Sequence, residues 1–256
     1  MAWDIERVTS NEQDVSPIAS PLVREQVRSN LREQPSLSRL YPDIWWGDRF
    51  WNELRKAGRY KDLLDKIEIP DPPSEVETRE ELQDILNKQK SDELEKRRAE
   101  IIEESEGPPS YYNFMLFLDE IRRPLTADLV NKMISWSLPM TLHFKHHWKR
   151  PRPTQLEPRI RPVVMCPHHP AYPSGHSTQS HFIALVMESL TGRTEVKDAL
   201  WQAANRIAEN REYAGLHYRS DSEAGKVLAG ALQEPFVNEF RGQIESAREA
   251  EWSPSL

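Results

Sequence analysis

Residues 172–192 read YPSGHSTQSHFIALVMESLTG. A proline turn leads into Ser174, a residue type that caps helices by accepting from first-turn backbone N–H groups. No helix breaker follows until Gly192, the residue type that closes helices in the left-handed conformation. The spacing predicts a helix from near Ser174 to Gly192. Its first turn offers unpaired N–H groups and the positive end of the helix dipole, which together make a pocket for an anion. Gly175 lets the backbone approach such an anion without an intervening Cβ. Ser174 can donate its hydroxyl, and His176 sits where it can exchange a proton with the bound group. The plainer alternative is an ordinary helix cap beside a buried histidine.

Outward from this stretch the chain repeats the same grammar. Its 256 residues hold only nine glycines, show no repeat of useful period, and nowhere alternate apolar and polar residues long enough for a sheet. Most segments read as helices separated by prolines, so the expected class is all-α. SPLVREQVRSNLREQ, from Ser20, opens with a cap and a first-turn proline. DIWWGDRFWNELRKAG, from Asp43, spaces Trp45, Trp46, Phe50, Trp51 and Leu54 helically, a stripe most simply read as core. After the break IPDPPSEVE, residues 75–105 are dense in charge with a thin apolar stripe: Leu82, Ile85, Leu86, Leu94, Ile101 and Ile102. That pattern predicts a solvated face or a subunit contact. EGPPS ends it, and the expected division is an N-terminal helical segment, 1–110, packed on or extending a helical core, 111–256.

Composition narrows the function. A net charge of −7 disfavours a general nucleic-acid or membrane-surface binder, because both need basic excess. The single cysteine, Cys166, fits a reducing compartment, and MAWDIERVTSNEQD lacks the pattern of a signal peptide, so a cytoplasmic location is expected. All eight histidines lie between His143 and His217, which directs the search there.

Three clusters in that segment carry chemistry. In KHHWKRPRP, Lys145 and Arg152 are seven apart and share a face if a helix persists, although Pro151 and Pro153 are placed to end or kink it. Alone, this is a basic surface patch. The second cluster is the helix start already described. In NREYAGLHYRSDSEAG, from Asn210, His217 and Asp221 are four apart and would face each other on a helix. A carboxylate on one ring nitrogen fixes the tautomer and makes the other nitrogen more nucleophilic. Arg211 adds a forked donor suited to a tetrahedral oxyanion. His143, His146 and His147 raise zinc as an alternative, but the sequence offers no recognised fourth ligand.

Taken together and in this order, Lys145 with Arg152-Pro153, then Pro173-Ser174-Gly175-His176, then Arg211, His217 and Asp221 resemble the signature of the superfamily of type 2 phosphatidic acid phosphatases and vanadium haloperoxidases. The resemblance covers about Lys145 to Gly225, and the first 110 residues carry none of it. One departure is Asn210, where the family commonly has serine; its amide can still donate a hydrogen bond. The resemblance implies a helical bundle with the oxyanion site at its centre. It implies that Lys145, Arg152, Arg211, Ser174 and the Gly175 N–H hold the oxyanion. His217 would bond vanadium or phosphorus with Asp221 orienting it, and His176 would be the acid/base.

HPAYPSGH and GLHYRSD are more similar to the haloperoxidase branch than to the acid phosphatases. The expected cofactor is therefore vanadate, with phosphate or sulfate able to occupy the site. The expected partners are hydrogen peroxide, a halide and a small organic substrate, in a homo-oligomer that engages neither nucleic acid nor membrane. Seven residues before His176, the resemblance makes His169 the halide-tuning position, where bromide and iodide oxidisers have histidine and chloride oxidisers an aromatic. A phosphatase working through a phosphohistidine at His217 and a non-catalytic anion-binding scaffold are the competing readings.

Overall fold

The computed structural model describes residues 48–106 and 121–253, with Tyr112, Met115, Leu116 and Leu118 between them. The helix expected from Ser20, and Trp45 and Trp46 of the aromatic stripe, lie outside the described residues. Within them every regular element is helical: α1 (Asp48–Lys56), α2 (Lys61–Leu64), α3 (Glu75–Lys90), α4 (Asp92–Glu103), α5 (Pro124–Trp148), α6 (Pro153–Leu156), α7 (Gly175–Thr191), α8 (Thr194–Tyr213), α9 (Arg219–Glu239) and α10 (Arg241–Ala247). The class is all-α, as expected. No helix among the described residues is long and apolar enough to cross a membrane.

The middle of the bundle is α7. Ser174 caps it, its hydroxyl accepting from Ser177 N at 3.4 Å, and Gly192 closes it in the left-handed conformation at φ 64°. Phe182, Ile183, Ala184, Val186, Met187 and Leu190 of α7 are buried, so this helix is apolar on nearly every side and packs against α5, α8 and α9 at once. Met133 and Met140 of α5 and Leu228 and Phe236 of α9 complete the core. Each such side chain adds about 1.5–3 kcal/mol on burial. Close approach at the site end needs Gly225 of α9, where a Cβ would lie 2.7 Å from the Ser174 carbonyl oxygen. Prolines do not always divide the helices: α5 runs through Pro139 and α9 through Pro235.

Two expectations are corrected. The aromatic stripe of α1 is not core; Phe50, Trp51 and Leu54 are only partly buried, resting on Leu142 of α5. The charge-dense stretch is a solvated face on its outer side only. Ile85 and Leu86 of α3 pack with Ile160, Ala171 and Tyr218, and Leu94 and Ile101 of α4 pack with Cys166, Tyr213 and Leu216. The α3–α4 hairpin thus covers the segments that carry the second and third sequence clusters. The hairpin seats partly on loops, through Ile160, Cys166 and Ala171, and partly on α8, through Tyr213.

Candidate active site

Helix α5 ends at Trp148, and Lys149 turns the chain at φ 48°. The helix therefore does not persist to Arg152, which instead precedes α6 as its cap. Lys145, in the last turn of α5, is buried and donates to the carbonyl oxygens of Pro170 (3.0 Å), Ala171 (2.8 Å) and Pro173 (2.5 Å). Burial, then the nearby Arg152 guanidinium, holds its ammonium well below the usual lysine range.

Arg152 is the hub. Its Nη1 donates to Leu216 O at 2.8 Å and to His217 Nε2 at 2.9 Å. Its Nε donates to His169 O at 3.1 Å, and its Nη2 lies 3.2 Å from His169 Nδ1. The His169 ring thus faces the site, with Phe50 edge-on to it at 4.6 Å between centroids. A guanidinium has only donors, so His217 Nε2 must be the bare nitrogen and Nδ1 must carry the proton. That proton goes to Asp221 Oδ2 at 2.9 Å. The pair does not sit on a helix as the four-residue spacing suggested. His217 precedes α9, and Asp221, in its first turn, reaches back to accept from Tyr218 N at 3.1 Å as well.

The opposite tautomer holds at His176. Its Nε2 is 2.9 Å from the Glu104 carbonyl oxygen, which can only accept, so Nε2 carries the proton and Nδ1 is bare. Burial, then the Arg211 guanidinium, pushes the His176 pKa down to about 3. Burial, then Arg152 and Lys145, holds His217 well below the usual histidine range. Both rings are therefore neutral near pH 7. Ser174 is fully buried, and its backbone N–H donates to Asp221 O at 2.9 Å, which ties the α7 cap to α9. Gly175 differs from Gly225: a Cβ there would meet no protein atom closer than Thr141 Cγ2 at 3.9 Å, so packing does not demand the glycine.

Arg211 is buried, and its Nη2 donates to Glu104 Oε2 at 2.8 Å and to Ile101 O at 3.0 Å. Its Nε and Nη1 are buried with no hydrogen-bond partner among the described residues. Buried donors are almost always satisfied, so two orphans on one cation mark the place of an acceptor that is not protein. A tetrahedral oxyanion fits that place, and the charges agree. Buried Lys145, Arg150, Arg152 and Arg211, four cations, face the three carboxylates Glu81, Glu104 and Asp221.

The structure brings together all the residues the sequence singled out for the oxyanion, and adds three more. Arg150 sits behind the His217–Asp221 pair: Nη1 donates to Asp221 Oδ1 at 2.6 Å and to Ser220 Oγ at 2.7 Å, and Nη2 to Glu81 Oε2 at 2.8 Å. It lies in the first basic cluster, which by itself reads as a basic surface patch, so its burial was not marked in the sequence. Glu81 and Glu104 come from the hairpin, where nothing local distinguishes them from neighbouring glutamates. Asn210 does donate, to Glu100 at 3.1 Å and Glu104 at 2.9 Å, and its Oδ1 accepts from Arg97 at 3.1 Å.

His143, His146 and His147 do not form a metal centre. Their rings rest edge-on against Phe144, Trp51 and Trp148 respectively, and no group of three His, Cys, Asp or Glu among the described residues is arranged to hold a metal ion. A groove of about 560 Å³ opens between α7, α8 and α9 beside His181 and Asn205, but Lys145, Arg152, Arg211 and His217 do not line it. Its Lys88 and Lys226 are already paired with Glu212 and Glu223. The residues that the sequence singled out lie in the buried cluster instead. The family model described as PAP2 superfamily matches residues 126–236, which contain every sequence-predicted site residue. No curated protein matches the chain.

Proposed function

From a chain whose residues 126–236 belong to the PAP2 superfamily, a family of phosphatase- and haloperoxidase-type enzymes, we infer a vanadate-dependent haloperoxidase. It oxidises bromide or iodide with hydrogen peroxide to a hypohalous-acid-like species that halogenates a small organic substrate. The observation that carries the oxyanion site is the pair of orphaned donors on Arg211, beside a His217 whose Nε2 carries no proton and accepts from Arg152. The likeness of HPAYPSGH and GLHYRSD to haloperoxidase sequences turns that site toward peroxide chemistry.

Vanadate, when bound, supplies an electrophilic centre that activates hydrogen peroxide toward halide. Lys145, Arg152 and Arg211 would neutralise its oxygens, Ser174 and the Gly175 N–H would add hydrogen bonds, and His217 Nε2 would bond the vanadium. Asp221 keeps the proton on His217 Nδ1, so the bonding nitrogen stays bare and aimed. His176 Nδ1 is placed by its tautomer to take a proton and return it. His169, against Arg152, makes the wall of the site polar, which favours the more easily oxidised halides over chloride.

A second reading uses the same bare nitrogen. In a phosphatase, His217 Nε2 would attack the phosphorus of a monoester, and His176, neutral in the free protein, would have to take up a proton at Nδ1 as the ester binds and give it to the departing alcohol oxygen. Water would then cleave the phosphohistidine, with His176 taking the proton back and phosphate leaving. The deciding experiment adds vanadate to the metal-free protein and follows both bromination with peroxide and phosphate-ester hydrolysis. The haloperoxidase reading expects bromination and iodination to appear, with chloride slow, and any hydrolysis to fall. Inhibited hydrolysis with no halogenation selects the phosphatase; neither activity, with vanadate bound, leaves an anion-binding scaffold.

A further inference from the structure

Glu104 lies in the turn after α4, outside residues 126–236, and is wholly buried. One carboxylate oxygen accepts from Arg211 Nη2 at 2.8 Å and the other from Asn210 Nδ2 at 2.9 Å, while its main-chain oxygen accepts from His176 Nε2 at 2.9 Å. Ile101, one turn earlier, takes the other bond of the same Arg211 nitrogen. The guanidinium is thus gripped at a single nitrogen from the hairpin side, and the edge formed by Nε and Nη1 carries no bond from the described residues. A planar fork held by one corner has its free edge fixed in direction.

We propose that Glu104 is a positioning residue of the anion site: its carboxylate aims the free edge of Arg211 at the bound oxyanion, and its carbonyl holds His176 in the tautomer that leaves Nδ1 bare. This rests on the reading of the cluster as an oxyanion site, and holds for a vanadate cofactor or a phosphate substrate alike. Positioning and simple charge make opposite forecasts. A carboxylate beside an anion repels it, so by charge alone its removal tightens anion binding. If Glu104 acts by orienting Arg211, its removal weakens binding, because a freed guanidinium must be ordered again each time an anion enters.

The test is calorimetric titration of the full chain with inorganic phosphate, and separately with orthovanadate, for wild type, Glu104→Ala, Glu104→Gln and Glu100→Ala. Glu100 accepts from Arg206 and Asn210 in the same charged cluster but bonds neither Arg211 nor His176. Glu104→Ala should weaken both anions at least about tenfold, the scale of one charge-assisted hydrogen bond. Glu104→Gln, whose amide oxygen can still accept from Arg211, should recover part of that loss, and Glu100→Ala should bind like wild type. Anion binding by Glu104→Ala that equals or exceeds wild type overturns the proposal, as does an equal loss in Glu100→Ala, which would reveal a merely structural cluster. Should Glu104→Ala fail to fold, Glu104→Gln decides alone: severalfold weaker binding supports the assignment, and wild-type or tighter binding rejects it. A wild type that binds neither anion removes the oxyanion reading itself, and this assignment with it.

Discussion

Helices α5, α7 and α9 place the site by packing, whereas the α3–α4 hairpin holds it by charge. In the bundle, Gly225 passes Ser174 so closely that no Cβ fits, and the flanking core is Met, Leu and Phe. Across the hairpin the links are Glu81 to Arg150, Arg97 to Asn210 and Glu104 to Arg211. Packing tolerates little displacement but is indifferent to what is bound. Ion pairs taken out of water return little net stability, so the hairpin's charged links contribute orientation of the cations, while its buried Ile85, Leu86, Leu94 and Ile101 supply its share of the folding free energy.

The largest expected effect separates chemistry from support. His217→Ala removes the bare nitrogen, and turnover should fall by at least about a thousandfold, with vanadate no longer bonded through nitrogen. His176→Ala should keep the anion and lose about a hundredfold or more of the rate, because only the proton carrier has gone. Rates and vanadate affinities of both variants measure this. Equal losses of affinity in the two would undo the division of labour, and a hairpin variant that stopped turnover with affinity intact would break the contrast between the regions.

Next is Arg150→Ala, which cuts a cation joining the hairpin to the His217–Asp221 pair. Asp221 and Glu81 would each lose a charged partner, Asp221 inside the protein. Leaving a buried charge uncompensated costs about 3–5 kcal/mol. Denaturant unfolding reads the loss directly, and a change below about 1 kcal/mol would mean that the pair is hydrated and the hairpin only loosely attached.

These three substitutions also mark what was legible in the sequence. His217, His176, Lys145, Arg152 and Arg211 stand out because rare, chemically demanding residues recur at fixed spacings within one segment. The α7 boundaries were equally plain, since Ser174 and Gly192 are local signals that local geometry satisfies. The His217–Asp221 contact was foreseen but its backbone was not: a helix start that bends an N-terminal carboxylate back gives the same contact as one helical turn. Glu81 and Glu104 were invisible. Their partners lie more than sixty residues away in sequence, and a glutamate that will be buried looks like one that will not. Phe50 and Trp51 misled for a related reason, because helical spacing of aromatics reports a face and not how much of it is covered.

A smaller effect compares two glycines within one helix-packing contact. Gly225→Ala drives a Cβ into the Ser174 carbonyl, so something must shift, at about 1–3 kcal/mol. Gly175→Ala meets nothing closer than 3.9 Å and should fold as wild type does, while phosphate affinity falls because the backbone N–H can no longer be approached freely. Thermal unfolding with and without phosphate distinguishes them. Normal phosphate affinity in Gly175→Ala would remove that amide from the anion's contacts.

The smallest effect is the one the charged site imposes on the fold through pH. His176 titrates at about 3 in the folded protein against 6.5 for an ordinary histidine, from burial first and then from Arg211. A group whose folded pKa is lowered contributes its full stability above the unfolded value and loses it as pH falls toward the folded one. For His176 alone that loss stays below about 1 kcal/mol between pH 7 and pH 6, and His169 and His217, also held low, act in the same direction. A bound phosphate opposes the cations that depress His176, so its pKa rises and binding takes up a proton. Phosphate should therefore shift the acid limb of stability to lower pH, and its stabilisation of wild type over His176→Asn should grow as pH falls from 7 to 5. Melting curves at fixed phosphate across that range test it. Parallel acid limbs with and without phosphate would place His176 away from the anion, and would leave the bundle's first helical turn holding the ligand without the proton carrier beside it.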